Sequence, residues 1–151
     1  MSKTYSLFLK LEENACIARA VEYPESSSEH LNYYYNLIGC SCIDIVNAYG
    51  LYNFAEKITD ESFAFLKDIC LVVDDEALLL DKPLVNPPAS ILYGYAEHGQ
   101  AIFGNALVCK NLHTPDGTET IGLTPEEIRD LEIALNIMIE NERKKLTGKT
   151  E

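Results

Sequence analysis

Three consecutive carboxylates, Asp74-Asp75-Glu76, with Asp81 a few residues on, could serve acid/base chemistry, hold a hard cation or present negative charge to a partner. Neighbouring side chains at a strand end point to opposite faces, so three in a row do not converge on one reacting atom without a special turn. A calcium loop needs spaced oxygen ligands closed by a Glu, whereas this run leads straight into Ala77-Leu78-Leu79-Leu80. Asp74, Asp75 and Glu76 are therefore expected at a solvated hairpin tip and, together with Asp81 on a neighbouring turn, as partner-binding residues.

A second set points to a nucleotide ligand. Asn86 and Asn105 could supply amide hydrogen bonds, Tyr93 and Tyr95 could stack on a base, and Lys82 or Arg129 could meet phosphate. Turn geometry for the asparagines and core packing for the tyrosines account for the same residues without a ligand.

Nucleophilic and metal chemistry have less to draw on. The chain contains no GxSxG, Walker glycine loop, GxGxxG or HExxH. Cys40-Ser41-Cys42 lacks the C-x₂₋₄-C spacing of a zinc half-site, and His30, His98 and His113 are scattered singly. Cys16, Cys40, Cys42, Cys70 and Cys109 lie in or beside apolar segments and are odd in number, so reduced thiols are expected. No catalytic residue, metal ligand or cofactor is assigned, and the reading is non-enzymatic.

Charge narrows the partners. Of 12 basic and 24 acidic residues, Arg143, Lys144, Lys145, Lys149 and Glu151 fall in the last nine positions, leaving residues 1–142 with 8 basic and 23 acidic side chains, a net of −15. Such a surface repels phosphate backbones, which argues against direct nucleic-acid binding and for complementarity to a basic groove. Apolar runs fall short of the ~18 residues a membrane span needs. The N-terminus lacks a signal-peptide layout, so a cytoplasmic protein is expected.

The elements that must position these residues follow from pattern. Strands are expected at Thr4–Lys10 and Cys16–Tyr23, joined through Glu12-Glu13-Asn14, then at Ser41–Val46, Cys70–Val73, Ala77–Leu80 and Gln100–Cys109. The last is interrupted at Gly104-Asn105 by a bulge or a close backbone approach. Ser26 and Glu29 suggest a capping box for a helix over 28–38, with Gly39 as its left-handed C-cap. Asp60 is a candidate cap for a short helix carrying Phe63, Phe65 and Leu66, and Ala89–Tyr93 for one helical turn. Thr114-Pro115-Asp116-Gly117 reads as a turn. Thr124, Pro125 and Glu127 begin a helix over 125–144. The sum is one α+β domain over 1–146, a largely antiparallel sheet with its helices on one face, and a short flexible tail over 147–151.

Three segments carry a resemblance: Ile69–Leu80 (ICLVVDDEALLL), Leu84–Pro88 (LVNPP) and Ile102–Val108 (IFGNALV). Together they resemble a family of uncharacterised small domains found in phages, plasmids and conjugative elements of Gram-positive bacteria. That family shows an acidic turn, a short apolar strand, a proline-and-asparagine segment and a strand of the form I-x-G-x-A-L-V. The match covers roughly residues 41–109; the second proline after Asn86 stands where the pattern usually has Arg, and the C-terminal helix has no place in it. The resemblance implies a counter-defence context. The expected function is inhibition of a host defence protein, through an acidic surface that blocks a nucleic-acid-targeting enzyme; the alternative is sequestration of an immune signalling nucleotide.

Finally, the C-terminal helix carries more apolar residues than one sheet face covers, with Ile133, Ile137 and Ile139 beyond the Ile128, Leu131, Leu135 and Met138 stripe. Tyr33-Tyr34-Tyr35 cannot all enter one core. A homo-oligomer through the C-terminal helix is expected, held by an apolar contact that persists or tightens as salt screens the net charge.

Overall fold

A computed structural model describes residues 3–13 and 15–147. These form a six-stranded antiparallel sheet: β1 (Tyr5–Leu11), β2 (Cys16–Glu22), β3 (Ile43–Asn47), β4 (Ile69–Asp74), β5 (Ala106–Thr114) and β6 (Gly117–Ile121). The order is β2-β1-β5-β4-β3. Residues 106–108 of β5 pair with β1, and residues 110–114 pair with β6. The bridge between Tyr5 and Leu123 then ties the end of this hairpin to the start of β1. The helices are α1 (His30–Ile38), α2 (Tyr49–Ala55), α3 (Pro87–Tyr93), α4 (Tyr95–His98) and α5 (Pro125–Thr147).

The class is α+β, as expected, but the helices cover both faces of the sheet rather than one. Side chains alternate along a strand, and the alternation sorts β1, β4 and β5 into two cores. Leu7, Leu9, Leu71, Val73, Ala106 and Val108 meet Leu131, Ala134 and Leu135 of α5 together with residues of α2 and α3. Phe8, Cys70, Val72, Leu107 and Cys109 meet Tyr34 and Ile38 of α1. The signal lies in the uninterrupted apolar runs ICLVV and ALVC, which mark strands buried on both sides. Tyr34 enters the second core while Tyr33 and Tyr35 are half-buried. The Tyr23 hydroxyl meets those of Tyr34 and the Thr120 carbonyl, and Tyr33 pairs with Ser6 at 2.6 Å.

Local signals fare unevenly. Thr124 and Glu127 form a reciprocal capping box at 3.0 and 3.1 Å, and α5 extends to Thr147, past the expected end at 144 and into the segment read as a tail; residues 148–151 lie outside the described residues, as does Asn14 of the first hairpin turn. Gly39 is the left-handed C-cap of α1. The Ser26 box does not form: Ser26 Oγ pairs with Ser28 instead, and a 3₁₀ turn over Ser27–Glu29 precedes α1. Asp60 caps a 3₁₀ stretch, Glu61–Asp68, by accepting from Ser62 N at 3.0 Å. α2 and β6 had not been expected. α2 packs on α3 at Gly50, where a Cβ would strike the Ile91 carbonyl and the backbone of Gly94. The Thr114–Gly117 turn closes the β5–β6 hairpin. β5 begins at Ala106 rather than Gln100, because residues 102–104 are engaged elsewhere.

The largest departure is Ala77–Leu80. It is no strand but a 3₁₀ turn over Ala77–Leu79. β4 is already paired with β3 on one side and β5 on the other, so a hairpin partner has no edge to join.

Candidate functional site

Two adjacent stretches, 74–85 and 86–105, hold most of the residues singled out in the sequence. In the second, Asn86 is fully buried. Its Oδ1 caps α3 by accepting from Ala89 N at 3.1 Å, and its Nδ2 donates to the carbonyls of Leu9 at 3.0 Å and Gly104 at 2.9 Å. The Cys16 thiol points at Oδ1 from 3.5 Å. Asn105 accepts from Leu11 N at 2.8 Å and donates to the Ile38 carbonyl at 3.3 Å. Backbone bonds from Asn86 N to Ile102 O and from Gly104 N to Leu84 O, at 2.8 and 2.9 Å, complete a latch. An asparagine side chain has two donors and an acceptor oxygen, and Asn86 uses all of them within the protein.

The set proposed for a nucleotide is therefore not assembled. The two asparagines are spent on backbone, and Tyr95 bonds Glu142 of α5. Arg129 pairs with Asp130 at 3.5 Å. It lies about 20 Å along α5 from Glu142, at 1.5 Å per residue. Tyr93 lies against Tyr49 and His98, with ring centroids 5.8 and 5.2 Å away. Lys82 is exposed on the neighbouring loop.

The 74–85 stretch is organised in the opposite sense. Asp74 Oδ1 accepts from Glu76 N at 2.9 Å, and Asp75 N donates to the Cys42 carbonyl at 3.0 Å. Ala77 is buried, and the far end is held where Val85 bridges Phe103. Between these anchors Leu78, Leu79, Leu80 and Leu84 stand 54%, 78%, 56% and 60% exposed. Exposed Asp75, Glu76, Asp81 and Lys82 surround them. The carboxylates do sit at a solvated turn, as expected, but they frame a ridge of exposed leucines in place of the expected strand. The signal was present as three consecutive leucines beside a strand with no free edge. Isolated exposed leucines are ordinary; here four stand on one short loop among charged side chains.

Depressions flank the ridge. On one side is a cavity of about 180 Å³ whose lining includes Asp44, Asp74, Asp75 and Tyr93. On the other, a groove of about 510 Å³ runs between Tyr35, Asn36 and Cys40 and the side chains of Glu76, Leu79 and Leu80. Val85 continues the apolar surface into a groove between α3 and the end of α5. The ridge thus offers apolar side chains for a pocket and carboxylates for cationic side chains.

Cys70 and Cys109 are buried and Cys16 is half-buried, and His30 and His113 have protein partners. Burial pushes the Cys70 thiol up to about 12 and the Cys109 and Cys16 thiols upward, away from the thiolate a nucleophile needs. His30 contacts Tyr23 and the Pro24 carbonyl, and His113 contacts Asp68 and Thr118. Among the described residues no three His, Cys, Asp or Glu side chains gather as a metal would require.

Fold and site together define a small α+β domain whose latch holds an acidic, leucine-bearing loop. Residues 8–136 match the family described as a domain of unknown function, DUF3846, and the chain belongs to that family. The match reaches beyond 41–109 and takes in α5 as far as Asn136, so the C-terminal helix is part of the family's domain. No curated protein and no solved structure matched the chain.

Proposed function

We propose that the protein is a non-enzymatic inhibitor from a phage or other mobile element, which acts in the host cytoplasm by blocking a nucleic-acid-targeting defence enzyme. The observation that carries this reading is the ridge of Leu78, Leu79, Leu80 and Leu84 standing exposed among Asp75, Glu76 and Asp81. A nucleic-acid-binding cleft is basic, and an acidic surface is drawn to it by long-range attraction that accelerates encounter and sets orientation. Charge alone gives little affinity. Exposed leucines supply the apolar contact that desolvates the centre of such an interface, at roughly 25 cal/mol per Å² buried.

The mobile-element setting is supported by the sequence resemblance, and the target class by the net charge of −12. Sequestration of a signalling nucleotide is the weaker reading, because Asn86 and Asn105 spend their amides on backbone carbonyls and amides. The deciding experiment is capture from a bacterial lysate with wild-type protein and with Leu79→Glu, with mass spectrometry of proteins and of released small molecules. A nucleic-acid-targeting enzyme retained by the wild type and lost with Leu79→Glu supports the proposal. A nucleotide retained by both proteins overturns it in favour of sequestration.

A further inference from the structure

The outer face of α5 carries a pattern that matches itself when reversed. Ile133 and Ile137 are 45% and 46% exposed, on the side of the helix away from the buried Leu131, Ala134, Leu135 and Met138. Glu126 lies seven residues before Ile133, and Lys144 seven after Ile137. The 18-residue separation between Glu126 and Lys144 makes about five turns of 3.6, so all four side chains fall on one line.

The ion pairing along this line is selective. Asp130 is paired with Arg129 at 3.5 Å and Glu140 with Arg143 at 3.2 Å. Glu126 and Lys144, both exposed, have no ion-pair partner among the described residues. Glu126 is also outside the capping box, which uses Glu127.

We propose that this face binds a second copy of the chain, with two α5 helices antiparallel across a two-fold axis. Placing Ile133 of one copy opposite Ile137 of the other fixes the register. That register sets Glu126 of each copy against Lys144 of its mate, so the unpaired charges satisfy each other twice. Asp130 comes opposite Glu140, a like-charged meeting that also occurs twice, and each already carries its own arginine. A two-fold interface must be self-complementary in this way. Net charge opposes the approach of two acidic bodies, and the contact is a small one. The dimer is therefore weak and depends on both features.

Sedimentation over a concentration series reaching the millimolar range tests this. Wild type is expected to approach twice the 16.9 kDa chain mass. Ile137→Asp, on the exposed face and so harmless to folding, remains monomeric with an unchanged melting curve. Glu126→Lys and Lys144→Glu each weaken association about tenfold, since two symmetry-related pairs turn repulsive, and the double variant restores it. A wild type that stays monomeric throughout overturns the proposal. So does a dimer that ignores Ile137→Asp, or a double variant no better than either single one. None of these readouts involves the leucine ridge, so the dimer stands or falls apart from the inhibitor function.

Discussion

The latch at 86–105 and the ridge at 74–85 are contiguous in sequence and use side chains in opposite ways. Asn86, a polar residue, is fully buried with its amide bonded to β1, to Gly104 and to the first turn of α3. Leu79, an apolar one, is the most exposed of the large apolar residues among those described. Burying an amide costs stability unless every group is paired, and exposing leucines gains nothing for the fold. The first region is thus explained from within the molecule; the second is what the proposed partner would explain.

That contrast is broken most readily at Asn86. Replacement by Ala leaves the Leu9 and Gly104 carbonyls short of a donor and removes the cap of α3, and it should cost about 2–4 kcal/mol in chemical denaturation. A loss under 1 kcal/mol would make Asn86 a spare group, available to a ligand after all.

Leu79→Glu is the converse. Stability should move by no more than ~0.5 kcal/mol, as for other surface changes, while affinity for the partner falls at least about 30-fold, as for a central interface anchor. Equal losses in both would place Leu79 in the fold rather than in an interface.

The inward-facing tyrosines sharpen the comparison by pH. Burial raises Tyr33 to about 12 and pushes Tyr23 and Tyr34 higher still, whereas unfolded tyrosine ionises near ~10. Above that pH the folded state holds more protons than the unfolded state, so stability should be intact below pH ~10 and fall as pH rises toward and past 12. Denaturation midpoints measured from pH 8 to 12 check this; a flat profile would mean that these hydroxyls are open to water.

The smallest effect belongs to the ridge's charges. Asp75→Asn and Asp81→Asn should each slow partner association several-fold at low salt, with little change near physiological ionic strength or in dissociation. Stopped-flow rates that show no salt dependence would remove electrostatic steering from the account.

Much of the latch and little of the ridge could be read in the sequence. Thr124-Pro125-Glu127 and Asp60 announced their caps through local chemistry, and the strand runs through Phe8, Val72 and Leu107 announced themselves by composition. Gly104-Asn105 signalled a close backbone approach, which is where Leu84 bonds Gly104. What failed depended on pairings between distant segments. Whether Ala77–Leu80 becomes a strand is decided by β3 and β5 already flanking β4, a fact that no local window contains. The placement of α1 and α5 on opposite faces was written in the unbroken apolar runs ICLVV and ALVC, which mark strands buried on both sides. The residues of the nucleotide set are not gathered in one place for a similar reason, since Arg129 and Tyr95 have favourable side chains but sit at distant points of the fold.

The central claim is that the leucine ridge docks in a basic cleft. Its most direct test is inhibition of purified nucleic-acid-cleaving defence enzymes at low salt, titrating wild-type protein and Leu79→Glu with nucleic acid as competitor. The account predicts that the wild type inhibits at least one enzyme, that excess nucleic acid relieves the inhibition, and that Leu79→Glu has lost it while melting as the wild type does. Inhibition by Leu79→Glu equal to that of the wild type, or failure of the wild type to bind any enzyme of the panel, would contradict it.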